Sequence, residues 1–418
     1  MDNQGQVTLS QVQSDSASER YARYLLCAML LSVTVLQKIA LPYGGATELF
    51  IAMLIFPCVA ALGLFLRVLR LRVGLLILYA FAMASLFLTQ FFCPYDFSYL
   101  SLALMAFISL FYCFEARPGL LRPFFMLMLY QRIMVWLAVL GISQYFLQFL
   151  IGSELAFFLD HGIFDKFILH GYNNLNEMSY GSSILKPNAV FLLEPGIFSQ
   201  LLALAIIIDV TALKYYRRLP LYFTSLALTF SGTGLILLFA LLPFYLLQKR
   251  QFVILILGFT ILVSAPLWAP AVGLGRTVDR VNEFTQPGTS GYARFVSIFH
   301  ILDDYVFTDA RTTLLGHGAG FSKNVQDSYD FEVHPPSWGK LWVEYGLIGL
   351  IIYSIFLLTA IWSSPLSAYI LMALTINIYY DGYVLIPLVH GLILTLVAWP
   401  AANDRLYSSV KEAEYART

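Results

Sequence analysis

Charge is what this chain has least of. Only 12% of its 418 residues are Asp, Glu, Lys or Arg, against roughly 25% in a soluble domain. That scarcity excludes an ordinary soluble globular fold. The 25 basic and 25 acidic residues cancel. No positive excess is left to bind a polyanion, so nucleic acid is not an expected partner. Cysteine is also sparse. Cys27, Cys58, Cys93 and Cys113 show no metal-ligand spacing and read as small hydrophobes. No Asp-x-Asp stands at the end of an apolar run to hold a divalent ion, so neither a metal nor another cofactor is expected. The strict alternation that marks membrane β-strands is missing too.

What is present is long apolar runs. The chain is 59% hydrophobic, with a mean hydropathy of +0.74. The runs fall at 24–41, 47–66, 73–92, 97–114, 124–151, 193–212, 220–231, 233–248, 252–269, 341–362, 366–379 and 383–400. A helix of about 20 residues crosses a hydrocarbon core of about 30 Å. The expected fold is therefore an all-α polytopic membrane protein with about twelve transmembrane helices. The short runs 220–231 and 233–248 are split by Ser231, Gly232, Thr233 and Gly234 and suggest a hairpin that stops within the membrane. Residues 1–22 read as a disordered tail, 23–400 as a single transmembrane domain and 401–418 as a second tail. No basic segment precedes the first run, so no cleaved signal peptide is expected.

Lys and Arg occupy alternate loops. Arg20 and Arg23, then Arg67, Arg70 and Arg72, then Arg117 and Arg122, then Lys214, Arg217 and Arg218, then Lys249 and Arg250 fall on one side. Loops 42–46 and 93–96 carry none. This places both termini in the cytoplasm. The long loops 152–192 and 270–340 then face outward. Loops of that length are usually functional. Within the second, Phe295, Ile298, Phe299, Leu302 and Tyr305 recur at helical spacing, which predicts an amphipathic helix resting on the bundle or the membrane surface. No internal repeat is visible, which weakens a transporter reading.

Ionisable residues inside apolar runs need a partner or a task. They are Lys38, Arg132, Glu194, Asp209, Glu344 and Asp381. Lys38 can snorkel to the interface, Asp209 can pair with Lys214 or the lipid boundary, and Arg132 can form a salt bridge in the bundle. Glu194 precedes Pro195 and Gly196 at an outer helix start. It reads either as a helix-capping carboxylate or as a site carboxylate, with Lys186 upstream as a phosphate contact. Arg276, Arg280, Arg294 and Arg311 lie in the second long loop. They read as solvated surface arginines or as a cluster able to grip a pyrophosphate. His334 is stiffened by Pro335 and Pro336, and Ser337 is placed to cap the helix that follows. Histidine at such a boundary is a candidate general base. The segment LGHGAGF, 315–321, lacks the Lys-Ser/Thr ending of a phosphate loop and reads as a turn with His317 as a bystander.

Taken in order, these segments resemble the O-antigen polymerase and ligase superfamily. His334, Trp342, Glu344, Gly346 and GLIGL are similar to its histidine-to-Glu-x-Gly-x-x-Gly-Leu signature, with His-Pro here in place of the common His-Asn. FLLEPGIFSQ is similar to the Glu-Pro element of its polymerases. SGTGLILLFALL resembles a Ser-Arg-Thr-Gly helix start in which Gly232 stands for the arginine. Arg294 followed by LLGHGAGF resembles the loop arginine and Gly-x-Gly turn. The resemblance covers 186 to about 362 and is nearest to xanthan-type exopolysaccharide polymerases. It implies a metal-independent membrane glycosyltransferase of GT-C type in the bacterial inner membrane. Donor and acceptor would both be undecaprenyl-pyrophosphate-linked oligosaccharides, with a chain-length copolymerase as a possible partner. His334, Arg294 and Glu194 would be catalytic, and Lys186, Arg276, Arg280, Arg311 and Glu344 would bind substrate. The alternatives are an O-antigen ligase, which would act on a lipid A core, and a lipid-linked oligosaccharide transporter.

Overall fold

The computed structural model describes residues 9–399 except 43–47, 94–95, 122–123, 162–166, 171, 173, 179–181, 269, 273–279, 327 and 381–382. Arg122, Arg276, Asp381 and the tail 401–418 lie outside the described residues. The protein is mostly helical. Among the described residues, four helices are long and apolar enough to cross a membrane: Val73–Phe91, Phe125–Ile151, Pro195–Leu213 and Ser337–Trp362. Six shorter apolar helices accompany them: Ile51–Phe65, Tyr99–Cys113, Gly232–Gln248, Phe252–Trp268, Ala368–Tyr380 and Pro387–Ala398. The first expected run, 24–41, belongs to a helix that begins at Leu9 and ends at Val33. That helix runs through most of the segment expected to be a tail, where Glu19 and Arg23 pair one turn apart. Sheet is confined to two antiparallel pairs, Ala40–Pro42 with Glu48–Phe50 and Leu69–Leu71 with Phe114–Ala116.

Large apolar side chains cover the outside of the bundle. Ile77, Phe81, Leu88 and Phe91 are exposed on one helix, and Val253, Ile256, Phe259 and Val263 on another. A soluble monomer rarely carries apolar patches of that extent, whereas lipid solvates them.

The helix Pro195–Ile208 is the axis of the core. Every residue from Ile197 to Ile208 is buried, the pattern of a helix apolar all round. The helices Phe125–Ile151, Leu219–Leu228, Gly232–Gln248 and Ala368–Tyr380 pack around it. Two glycines permit the closest approaches. A Cβ on Gly234 would lie 2.2 Å from the Ser199 carbonyl oxygen, and one on Gly141 would lie 2.5 Å from the Phe198 ring.

The two ends of the bundle differ. At one, the arginine-bearing strands pair, with Arg70 2.6 Å and Arg72 3.4 Å from the Glu115 carboxylate. At the other, parts of both long loops fold onto the helix ends. Lys38 does not snorkel. It forms a buried ion pair with Asp160 at 2.6 Å. Burial pushes the Asp160 carboxyl up from its usual range, against the opposing pull of Lys38. Asp209 pairs with Arg218 at 3.3 Å rather than with Lys214, whose ammonium donates to the Val210 carbonyl and to Tyr245. Arg132 is exposed.

The amphipathic helix expected near 295–305 is broken. It forms Ser290–Phe295, Ser297–Ile301 and a π turn, Leu302–Val306, with Val296 at the junction. The break rotates the buried face. Ile298, Ile301, Leu302 and Val306 join Val325, Val333 and Val343 in a separate small core, while Phe299 is exposed.

Candidate functional site

The segment before Glu194 is held by buried amides. The Gln144 carboxamide oxygen accepts the N–H groups of Asn188, at 3.0 Å, and Val190, at 3.2 Å. The Gln37 carboxamide oxygen accepts the Leu193 N–H at 2.9 Å. Ala189 and Val190 both have positive φ, 54° and 69°. That conformation is strained for a β-branched residue such as Val190 and costs roughly 1–3 kcal/mol. The amide contacts hold it and aim the chain into the axial helix. Glu194 occupies the N-cap position and Pro195 the first turn, yet the carboxylate makes no capping bond. It faces Arg294 instead, with Oε2 3.9 Å from Nη2.

Hydroxyls gather at the same place. Ser199 Oγ donates to the Gly196 carbonyl at 2.7 Å and lies 2.9 Å from Thr233 Oγ1. Thr233 donates to the same carbonyl at 3.1 Å, and Ser231 lies 3.0 Å from Thr233. A Cβ added to Gly196 would have Thr233 Oγ1 at 3.7 Å and both Glu194 Oε2 and Ser231 Oγ at 3.9 Å. The Glu-Pro-Gly helix start and the Ser-Gly-Thr-Gly hairpin tip therefore form one oxygen-lined cleft. Tyr172 lies within electrostatic reach of Glu194. Burial pushes its phenol well above the usual range, and the Glu194 charge adds to the shift.

Arg294 enters from the second long loop, on the helix Ser290–Phe295. Thr289 caps that helix by accepting the Tyr292 N–H. His334 joins through its backbone, its N–H donating to the Ala293 carbonyl at 2.9 Å. Its imidazole stays about half exposed, with Nε2 3.6 Å from Glu332 Oε2. Ser337 does not cap the next helix. Pro336 holds the N-cap position, and Ser337 Oγ is buried without a hydrogen-bond partner among the described residues.

Lys186 is buried, with its ammonium donating to Asn176 Oδ1 at 2.9 Å. Arg280 starts a short 3-10 helix, Arg280–Thr285. Arg311 donates through Nε to the Phe92 carbonyl at 2.8 Å. Glu344 is fully buried and accepts from Lys340 at 2.6 Å and Ser322 at 2.7 Å. Both bonds go to Oε1, and Oε2 is buried with no hydrogen-bond partner among the described residues. Gly346 has φ +69° and interrupts the helix Ser337–Trp362. A Cβ there would lie 2.2 Å from the Leu314 carbonyl oxygen. The turn at 316–320 crosses this break, with His317 N–H donating to Val343 O at 2.9 Å and Gly318 N–H to Glu344 O at 3.0 Å. His317 is buried there and stacks on Phe321. Its imidazole lies 2.9 Å from the Tyr305 carbonyl oxygen.

Sequence reasoning did not select Ser199, whose hydroxyl joins the helix start to the hairpin tip; the available signal was a polar residue near the start of an otherwise apolar run. No family model, curated protein or solved structure matches this chain, so the functional reading rests on the geometry and chemistry of the cleft.

Proposed function

We propose that this protein is a polysaccharide polymerase that joins undecaprenyl-pyrophosphate-linked oligosaccharides on the periplasmic side of the bacterial inner membrane. The observation that carries the reading is the facing of Glu194 and Arg294 at 3.9 Å beside a cluster of hydroxyls, at the end of an apolar bundle where the long loops converge. A glycosyl transfer from a lipid pyrophosphate needs two things there. One is positive charge where the leaving pyrophosphate develops its negative charge. The other is a base near the attacking hydroxyl. Apolar walls on the same bundle would hold the polyprenyl chain. The alternation of Lys and Arg in the short loops supports cytoplasmic termini. The runs too short to count as spanning helices complete the proposed set of about twelve, in a GT-C-type arrangement.

In the proposed reaction, an acceptor sugar hydroxyl attacks the anomeric carbon of the donor chain. A new glycosidic C–O bond forms as the C–O bond to pyrophosphate breaks. The electron pair leaves with undecaprenyl pyrophosphate, which Arg294 stabilises. Glu194 takes the hydroxyl proton, because its carboxylate lies in the cleft while the His334 imidazole is turned toward Glu332. His334 then serves the pyrophosphate from the loop side. The test is to incubate the purified protein with a lipid-linked repeat unit and resolve the products by size. A ladder of longer lipid-linked glycans is expected, and it disappears in Glu194→Gln and Arg294→Ala. A folded wild-type protein that yields no ladder refutes the polymerase. Product found on a lipid A core instead identifies a ligase.

A further inference from the structure

Gly196 is the second residue of the axial helix, and nothing in the fold asks for glycine there. Its φ is not positive, so the backbone suits any residue, and alanine is the better helix former. Packing does not demand glycine either. A Cβ on Gly234, Gly141 or Gly346 would come within 2.5 Å of a neighbour. On Gly196 the nearest atoms beyond its chain neighbours are Thr233 Oγ1 at 3.7 Å, then Glu194 Oε2 and Ser231 Oγ at 3.9 Å. These are ordinary van der Waals distances. The missing methyl therefore leaves a notch bordered by three oxygens, at a residue that is only half-buried.

The three oxygens differ in what they offer. Ser199 and Thr233 both donate to the Gly196 carbonyl, at 2.7 and 3.1 Å, so their protons are engaged. Ser231 has the Thr233 hydroxyl at 3.0 Å and the Ser199 hydroxyl at 3.2 Å, and its proton is the one able to turn toward a newcomer. An ionised Glu194 can only accept, and a carboxylate has about four acceptor positions, so the Arg294 contact at 3.9 Å leaves room for another bond. A group in the notch that donates once and accepts once satisfies both walls. A hydroxyl does this. An ammonium or guanidinium cannot accept, and an ionised phosphate oxygen cannot donate.

We infer that the missing side chain of Gly196 is the seat of the attacking oxygen. A single hydroxyl of the acceptor sugar is held between Glu194 and Ser231, where alanine would put a methyl group. The inference rests on the polymerase reading and adds where the acceptor oxygen sits and which residue admits it. As that oxygen bonds to the anomeric carbon, its proton passes to Glu194. The C–O bond to pyrophosphate breaks, and its electron pair leaves with undecaprenyl pyrophosphate.

The test gives full-length protein in detergent the lipid-linked repeat unit and measures elongation by the wild type, Gly196→Ala, Ser231→Ala and Gly74→Ala. Gly74 is likewise the second residue of its helix, Val73–Phe91, and a Cβ there meets nothing within 4 Å. Gly74→Ala therefore reports what the same exchange does to a helix start alone, and it should elongate like the wild type. Gly196→Ala should lose at least about a hundredfold in rate, the low end of what a positioned base contributes. It should unfold no earlier than the wild type and retain undecaprenyl pyrophosphate equally well in native mass spectrometry. Ser231→Ala should lose about tenfold, the worth of one hydrogen bond. Near-normal elongation by Gly196→Ala overturns the seat and leaves the polymerase standing. Earlier unfolding of Gly196→Ala, or loss of undecaprenyl pyrophosphate, also overturns it, because the glycine then serves packing or the leaving group. A folded wild type that elongates nothing removes the polymerase reading and the seat with it.

Discussion

Replacing Arg294 by Ala separates a structural from a catalytic role, because the two predict very different magnitudes. Two unit charges about 4 Å apart attract by roughly 4 kcal/mol at an effective dielectric of about 20. The Arg294 and Glu194 side chains keep 24% and 19% of their exposure at a separation of 3.9 Å. Partial solvation and side-chain entropy reduce the net worth of such a pair to about 1 kcal/mol or less. The substitution should therefore lower the unfolding temperature in detergent by only a few degrees. Loss of a donor aimed at developing charge costs far more, about 10²–10³ in rate. Elongation of a lipid-linked repeat unit by Arg294→Ala should accordingly fall at least a hundredfold at normal abundance. Arg294→Lys should recover only part of it, since an ammonium lacks the two-pronged guanidinium geometry. His334→Ala, at the adjoining backbone contact, should slow elongation with its fold intact. Full elongation by Arg294→Ala would refute the charge-stabilising role. A large loss of stability would instead make the pair an element of the fold.

Three further outcomes follow from the packing. Lys38→Met should destabilise the protein by about 3–5 kcal/mol, because it strands the buried Asp160 carboxylate, whereas Lys38→Met with Asp160→Leu should recover most of the loss. Thermal unfolding of both variants checks this, and equal losses would refute it. The hairpin glycines should respond oppositely. Gly232 has nothing within 4 Å of an added Cβ, so Gly232→Ala should be neutral or stabilise by up to about 1 kcal/mol, while Gly234→Ala should cost about 1–3 kcal/mol or more by pressing on Ser199. Unfolding curves measured side by side read the sign. Finally, Ser290→Cys, at an exposed position, should react with an impermeant thiol reagent in intact spheroplasts when the four native cysteines are replaced. Labelling only after lysis would reverse the proposed orientation.

Some features of the cleft were readable one residue at a time. Glu194 stands out because a carboxylate next to Pro-Gly in an apolar run needs an explanation. Arg294 stands out because it begins the one loop segment with helical spacing. Around Glu344 and Gly346 the tertiary structure adds a close backbone crossing that the motif does not announce. Gly346 breaks the helix so that the backbones at 314–316 and 344–346 touch, and Glu344 is engaged by Lys340 and Ser322. A pattern of residue types does not distinguish a buried carboxylate that holds two segments together from one that faces a substrate. The broken helix at Val296 escaped for a similar reason, since periodicity averages over a kink that reorients the side chains.

The amino-acid sequence by itself determined the solvent this protein needs and the approximate positions of its apolar helices, though not all of their ends. Those properties follow from local composition, because transfer of a run of about twenty apolar residues into lipid is decided by that run alone. Which residues meet was decided by tertiary structure. Glu194, Thr233 and Arg294 come from three separate segments, and their proximity depends on glycine contacts such as Gly234 against Ser199 and on the buried amides that hold the strained turn at 189–190. These are packing and hydrogen-bond complementarities between distant segments, and no single stretch of chain contains both halves of any of them.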